Sequence, residues 1–422
     1  MAYVEFWGGV GVIGSSKVLI GDGGHRVLLD LGLDIPREAD LFRAPVRLRP
    51  EQELSARLRA GAAAAMPGVY DPAALRPADP LAEPGEPTAV FVSHPHIDHV
   101  GLAGFVRPEV ALHAAPAAIA LLGALAAGGE ALPGPRDFAD PRTAWIPAPA
   151  GSKLRVGPMT VERLDVDHDV PGASGYLVTT SDGVLAFTGD IRFHGHHPER
   201  SWAFADAVAG CDVLVTEGTT LSWEARFPLR TEQDVADDYA AALAASGDLM
   251  LQAVYPRDLD RVRAFTEIAA GLGRVVAWPE AAAAFLRAAG VEAAVADLAA
   301  IRDRPRGYVV QADPGDLPSL LDLPLGPDSA LLHANGEPLG PFDPRWSLFA
   351  DWLAHCRLPL RQIGCSGHAY PDHLHEMLYR IRPRIVVPIH TASPYRLHPV
   401  GGPDRVVVEY AQRYDFTGRD IA

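Results

Sequence analysis

The sequence predicts an α/β protein with more than one sheet. Two observations carry this. Short β-branched runs punctuated by Gly or Asp recur through the first half, at residues 88–93, 175–180, 184–188 and 213–216. After Arg230 the pattern changes to helices alternating with strands, a βα series that makes a second domain with its own parallel sheet. Forty Gly and 38 Pro with no fixed period add many turns and argue against a helical bundle. At about 150 residues per domain, 422 residues make two or three domains, or one large domain with an insertion.

The elements follow in order. Residues 17–20 and 26–29 flank Gly21-Asp22-Gly23-Gly24 and predict a hairpin. Residues 49–66 form a helix-forming stretch opened by Pro50. A proline-heavy connector, 67–87, leads into the strand at 88–93, which ends at a cluster of histidines. The longest uncharged run, 110–129, is alanine-rich and broken by His113, Pro116 and several glycines. It predicts a strand and a buried helix, not a membrane span. In the second domain Thr231-Glu232-Gln233-Asp234 resembles a capping box, followed at helical spacing by Val235, Tyr239 and Leu243. A strand at 249–254, a helix carrying Leu259, Val262 and Phe265, a strand at 274–277 and an alanine-rich helix continue the series. The chain closes with a strand near 361–365, a helix opened by Pro371, and a strand at 385–389 reaching His390.

Composition narrows the function classes. A net charge of −16 makes the chain a poor candidate for non-specific coating of nucleic acid, which needs a basic surface. It does not exclude an enzyme that feeds one strand to a metal centre, since the ions supply positive charge locally. Cys211, Cys356 and Cys365 are an odd, scattered set, so neither a disulfide framework nor a thiolate zinc site is expected. The N-terminal residues lack a basic region followed by an apolar stretch, which predicts no signal peptide. The expectation is a cytoplasmic protein with no membrane partner.

The most specific signal is His94-Pro95-His96-Ile97-Asp98-His99. Imidazole and carboxylate ligands suit divalent zinc or manganese. His94 and His96, two residues apart past a strand end, can share one face toward one ion. Asp98 and His99 are adjacent, so they diverge and can serve a second. A dinuclear site needs further ligands, including a bridging carboxylate. His168, Asp190 and His390 each stand at a strand terminus, where sheet geometry holds a side chain rigidly.

These residues together resemble the metallo-β-lactamase superfamily, along with Gly8-Gly9-Val10-Gly11-Val12-Ile13-Gly14 and Leu28-Leu29-Asp30-Leu31-Gly32. Two further segments resemble its β-CASP nuclease branch: 212–219, with Glu217, and Cys365-Ser366-Gly367-His368-Ala369. Asn335-Gly336-Glu337-Pro338-Leu339 is similar to ribonuclease J relatives. The resemblance covers nearly the whole chain. It implies an αββα sandwich at residues 1–220 and 360–422, with a β-CASP α/β domain inserted at 221–359 and capping the active-site cleft. It assigns His94, His96 and His168 to one ion, Asp98, His99 and His390 to the other, and Asp190 to the bridge. Asp30 becomes a residue that orients the histidine loop. Two departures stand out: Gly364 replaces a histidine usual in ribonuclease J, and Asp169-Val170-Pro171-Gly172-Ala173-Ser174 follows His168 in place of the common Ser-Ile-Pro-Asp-Ser form.

Two ions of this kind suit phosphodiester hydrolysis. His368 is the expected general acid, Glu217 holds its ring, and Asp98 completes the catalytic set. Backbone amides at Ser366 and Gly367 are expected to bind a substrate phosphate near the start of the helix opened by Pro371. His194, His196 and His197 read as loop residues, and His373 and His375 as an exposed helix surface. Arg257 and Arg261 are as well explained by backbone contacts to a nucleic-acid strand as by a solvated helix face. The expected partner is single-stranded RNA, and a second copy of the chain is a candidate. The expected activity is RNA processing or decay, exo- or endonucleolytic, and the alternative is a small-molecule metallohydrolase acting on an ester, thioester or lactone. A catalytically silent subunit of a processing complex is the third class, and the intact ligand set argues against it.

Overall fold

Strands that are apolar on both faces set the architecture. In Val213–Glu217, Val213 and Val215 enter one apolar core while Leu214 enters another. In Ile385–Ile389, Ile385, Val387 and Ile389 join the first core and Val386 the second. Period-two alternation with no polar face belongs to a sheet covered on both sides. The computed structural model describes residues 1–34, 41–42, 46–130, 132–135, 145–224, 228–399 and 402–421.

In chain order the strands are β1 (Tyr3–Phe6), β2 (Val18–Asp22), β3 (His25–Leu29), β4 (Thr88–Phe91), β5 (Ala111–Ala114), β6 (Trp145–Pro147), β7 (Lys153–Val156), β8 (Met159–Asp165), β9 (Ser174–Thr179), β10 (Val184–Phe187) and β11 (Val213–Glu217). Next come β12 (Met250–Val254), β13 (Val275–Trp278), β14 (Ala294–Val295), β15 (Tyr308–Gln311), β16 (Leu331–Ala334) and β17 (Leu360–Gln362). The last are β18 (Ile385–Ile389), β19 (Asp404–Arg405) and β20 (Arg413–Tyr414). They form sheets in the orders β20-β1-β2-β3-β4-β5-β6, β19-β18-β11-β10-β9-β8-β7 and β14-β13-β15-β12-β16-β17.

The chain divides into two compact units. The first comprises residues 1–193, 197–227 and 367–422, and the second 194–196 and 228–366. In the first unit the facing sheets share a core of Phe6, Val27, Leu29, Phe91, Tyr176, Phe187, Val215 and Ile389. Helices Pro198–Ala207 and Pro371–Ile381 cover the outer face of the second sheet through Phe204, Leu374, Met377 and Ile381. Helix Pro116–Ala127 buries Leu121, Leu122 and Leu125. The first unit is an αββα sandwich.

The second unit is a parallel sheet throughout. Its core holds Leu251, Ala277, Val310, Leu331, Phe349 and Leu353. The capping box is present, with Thr231 accepting from the Asp234 amide and Asp234 accepting in return. The sequence reading places the return to the first unit at residue 360. The structure instead pairs Leu360–Gln362 with Leu331–His333 as that sheet's edge, and the unit continues to Ser366. The hairpin at 18–29 forms as expected, with Gly23 and Gly24 both at positive φ in its turn. The helix expected at 49–66 is only Glu53–Arg59, ending before Gly61 at φ 69°.

Candidate metal centre

Parallel neighbours end on the same sheet edge, so residues just past their carboxyl ends are brought together. β10, β11 and β18 are such neighbours. They lead to Asp190, Glu217 and His390. In the facing sheet β3 and β4 are parallel and lead to Asp30 and the histidine turn. His168 lies between β8 and β9, whose antiparallel ladder closes at Asp165–Ser174.

The local chain explains why the histidine cluster splits. His96 caps a single helical turn, Ile97–Val100, and accepts from the amides of His99 and Val100. That turn places the ligand atoms of Asp98 and His99 in a group apart from those of His94 and His96, although the His94 and His99 ring centroids still lie 4.0 Å apart. The segment after β3 clips it in place: the amides of Leu31 and Leu33 donate to the carbonyls of His99 and Ile97 at 2.8 and 3.1 Å. Gly14, at φ 84°, passes so close that a Cβ there would stand 2.8 Å from Asp98 Oδ2. The Gly9 carbonyl accepts from the His390 amide at 2.8 Å. The glycine-rich loop therefore packs directly on both residues.

Two groups of ligand-type atoms result. His94 Nε2 lies 3.0 Å from His96 Nδ1, which lies 3.3 Å from His168 Nε2. His390 Nε2 lies 3.2 Å from Asp98 Oδ2 and 3.3 Å from His99 Nε2. Asp190 Oδ2 stands between them, 3.7 Å from His94 Nε2, 3.9 Å from His168 Nε2, 3.3 Å from His99 Nε2 and 3.6 Å from His390 Nε2. A tetrahedral ion with bonds of about 2.0–2.1 Å holds its ligands roughly 3.3–3.4 Å apart. The observed separations bracket that value, and the donor set suits divalent metal binding.

The outward nitrogens fix which lone pairs point inward. His168 Nδ1 donates to the Gly367 carbonyl at 2.6 Å, which leaves its Nε2 as the lone-pair atom. The His390 Nδ1 is 2.8 Å from the Thr219 hydroxyl. Asp30, fully buried, accepts from the Ser93 amide at 2.6 Å and from the Ser93 hydroxyl at 2.8 Å. Ser93 and Thr219 escape a sequence reading, because a hydroxyl beside a ligand carries no pattern; adjacency to His94 and Glu217 is the only signal.

Electrostatics divide the groups. Burial pushes the His94 imidazole well below its ordinary pKa, reinforced by the neighbouring rings, and pulls His168 down to about 4. Those rings are neutral and ready to ligate. Burial opposes charge on His99 too, but Asp190, Asp30 and Asp98 outweigh it and raise its pKa well above normal. The second group thus demands positive charge, which is what a cation supplies.

His368 adjoins the shared carboxylate. Its Nδ1 is 3.6 Å from Asp190 Oδ2 and 3.6 Å from Glu217 Oε1. Burial disfavours its charge, yet Glu217 and Asp190 outweigh this and hold its pKa at about 9. Glu217 is itself fixed, accepting from the amides of Thr219 at 2.7 Å and Ala369 at 3.1 Å.

Other sequence candidates fall elsewhere. Helix Pro371–Ile381 has Tyr370 as its N-cap, so Ser366 and Gly367 lie ahead of its first turn, not in it. Their carbonyls accept from His194 Nε2 at 2.8 Å and from His168 Nδ1. His194, His196 and His197 lie in a loop, with His196 Nε2 3.4 Å from Glu232 and His197 Nδ1 3.5 Å from Glu199. His373 and His375 are half-buried, not exposed: His373 packs on Phe193 and Tyr370, and His375 Nδ1 meets the Pro371 carbonyl at 2.7 Å. Arg261 is no substrate contact. It is buried, with Nε and Nη2 on Glu232 at 3.0 and 2.6 Å and Nη1 on the Ala334 carbonyl at 3.1 Å. Arg257 lies over the Tyr255 ring, 5.8 Å from its centroid.

This sandwich with histidines and aspartates at its strand ends defines a metallo-β-lactamase-type protein. A family model described as a beta-lactamase superfamily domain matches residues 63–296, more than half of the chain, and the chain belongs to that superfamily. The relatives it resembles at low identity are Ribonuclease J proteins. It is 23% identical over 339 residues to Ribonuclease J of Mycobacterium tuberculosis, covering 72% of this chain and 58% of that protein. It is 26% identical over 287 residues to Ribonuclease J of Sinorhizobium meliloti, covering 64% and 43%. The chain thus spans 58% or less of the length of these curated relatives. A crystal structure of a protein of unknown function from Enterococcus faecalis V583 superposes with a TM-score of 0.83 at 25% identity, covering 98% of this chain and 99% of that one. Among the described residues no helix is long and apolar enough to cross a membrane.

Proposed function

We propose that the chain is a metal-dependent nuclease that hydrolyses phosphodiester bonds of single-stranded RNA, with the second unit as its β-CASP domain. The observation that carries this reading is the half-buried imidazole of His368, 3.6 Å from both Glu217 and the carboxylate of Asp190 that lies between the two ligand groups. A departing ribose oxygen is strongly basic and benefits from a proton donor at the reacting centre. Sequence similarity to Ribonuclease J proteins, at low identity, supports the same substrate class.

His94, His96, His168 and Asp190 would hold one divalent ion, and Asp98, His99, His390 and Asp190 the other, zinc before manganese. When bound, such ions supply Lewis acidity toward a phosphodiester and make water acidic enough to attack near neutral pH. The chain's own residues do the rest. With Nδ1 of His368 turned to Glu217 and Asp190, Nε2 carries the proton given to the leaving oxygen. Glu217, pinned by two backbone amides, keeps that ring charged and aimed. The turn at Ser366 and Gly367 is the proposed phosphate contact, made by irregular backbone and not by a helix terminus.

The test is incubation of zinc- or manganese-loaded protein with 5′-monophosphorylated single-stranded RNA, DNA and a lactone and thioester panel, with products resolved by size. RNA cleavage, slowed by about 10²–10⁴-fold in His368→Ala, is the expected result. Turnover of a lactone or thioester with no cleavage of any RNA would reject the nuclease reading.

A further inference from the structure

Each ligand-type histidine has one nitrogen turned inward, and the other nitrogen of His94, His99, His168 and His390 meets an oxygen acceptor. His94 Nδ1 is 2.9 Å from Ser93 Oγ, His99 Nδ1 2.7 Å from Asp30, His168 Nδ1 2.6 Å from the Gly367 carbonyl and His390 Nδ1 2.8 Å from Thr219 Oγ1. His96 differs in orientation. Its inward atom is Nδ1, so Nε2 must carry the proton, and the carboxylate facing Nε2 is Asp169, with Oδ1 at 3.5 Å. The same oxygen lies 3.2 Å from His168 Nε2. Asp169 is largely shielded, with 18% of its side chain exposed, and Oδ1 makes no hydrogen bond with the described residues.

We infer that Asp169 is a positioning residue for the three-histidine group: it accepts the Nε2–H of His96 and thereby presents the His96 Nδ1 lone pair to the ion. This rests on the reading that His94, His96 and His168 hold a metal. Second-shell acceptors of this kind set both the tautomer and the ring orientation of a ligating histidine. Closing the contact from 3.5 Å to an ordinary hydrogen bond of about 2.9 Å needs a shift of only roughly half an ångström. Gly367 makes room for it. A Cβ at residue 367 would stand 2.6 Å from Asp169 Oδ2, so this position must lack a side chain for the carboxylate to sit where it does. The glycine next to the proposed acid His368 thus serves two ligands at once, His168 through its carbonyl and His96 through the space it leaves for Asp169.

The experiment measures metal affinity. Metal-stripped parent, Asp169→Asn and Asp169→Ala are titrated with zinc against a chelating indicator, with cobalt absorption spectra and melting temperatures of the metal-free proteins recorded alongside. Asp169→Ala is expected to bind about 10–100-fold more weakly, with altered cobalt bands. Asp169→Asn, which keeps an oxygen acceptor for the His96 N–H, is expected to recover most of that loss. Gly367→Ala should shift the cobalt bands in the same direction as Asp169→Ala. Parent-like affinity in Asp169→Ala, or equal losses in the Asn and Ala variants, would overturn the inference while leaving the metal centre standing. A parent that binds no metal would overturn the centre and the inference together.

Discussion

Asp30 Oδ2 accepts the Nδ1–H of His99 at 2.7 Å, from a backbone held at φ 63°. The same oxygen accepts the Ser93 hydroxyl, whose Oγ in turn lies 2.9 Å from His94 Nδ1. His94 and His99 belong to different ligand groups. One buried carboxylate therefore orients a histidine of each, and its strained backbone is held by the Asp30 amide donating to the Phe91 carbonyl at 2.9 Å.

The first prediction follows from that link. Asp30→Ala should weaken metal binding at both positions by about 10–100-fold each. It should also destabilise the metal-free protein, because the Ser93 amide and the His99 ring lose a buried acceptor at a cost of about 1–3 kcal/mol. Metal titration and chemical denaturation check the two parts separately. Weakening at one position alone would show that the Ser93 relay to His94 is idle.

Metal content separates structure from chemistry. Replete protein should hold close to two equivalents of zinc or manganese by elemental analysis, and Asp190→Ala should lose metal as well as activity, since Oδ2 faces both groups. His368→Ala should keep metal and fold while losing hydrolysis by about 10²–10⁴-fold. Unchanged cleavage in His368→Ala would remove it from the proton-donating role.

Glu217→Gln tests the partner of His368. The amide cannot hold the ring's charge and presents a donor where two backbone amides now donate. A rate loss of about 10–100-fold with metal content preserved is the expected outcome, read by single-turnover cleavage and elemental analysis.

Arg261→Met should unfold the second unit more readily without touching substrate binding. It strands Glu232 and Asp258, whose carboxylates lie 2.6 and 3.4 Å from the guanidinium in a buried site. Breaking a buried pair from one side costs about 3–5 kcal/mol. Denaturation monitored by tryptophan fluorescence checks this, and a changed salt slope of RNA binding in folded variant would argue that Arg261 does meet phosphate.

Substrate ends give the last test. If the chain is the proposed ribonuclease J-like nuclease, Gly364, standing where that family's pattern has histidine, should give a weaker preference for 5′-monophosphate over 5′-hydroxyl RNA. Gly364→His alone should not reverse it, because a Cβ at 364 would stand 2.1 Å from Asn335 Oδ1. Time courses on 5′- and 3′-labelled RNAs with each end chemistry measure both effects. A strong 5′-monophosphate preference in the parent would remove Gly364 as its determinant.

The sequence by itself determined the parts that repeat a local rule. Short continuous apolar runs marked β10, β11 and β18, the capping box marked the helix Glu232–Ala245, and ligand-type residues after strands marked the set that the structure brings within a few ångströms. Strand ends are legible because parallel neighbours place their next residues on one edge. Tertiary structure decided what depends on the far partner of a side chain. Arg261 reads equally as a nucleic-acid contact or a solvated helix face until Glu232, 29 residues away, is seen to fork with it. Asp169 enters the sequence reading only as the start of an unusual segment after His168, until His96, Gly367 and His168 converge on it. Which nitrogen of each histidine faces inward is likewise unwritten in the sequence, because it is set by an acceptor that only folding brings opposite the ring.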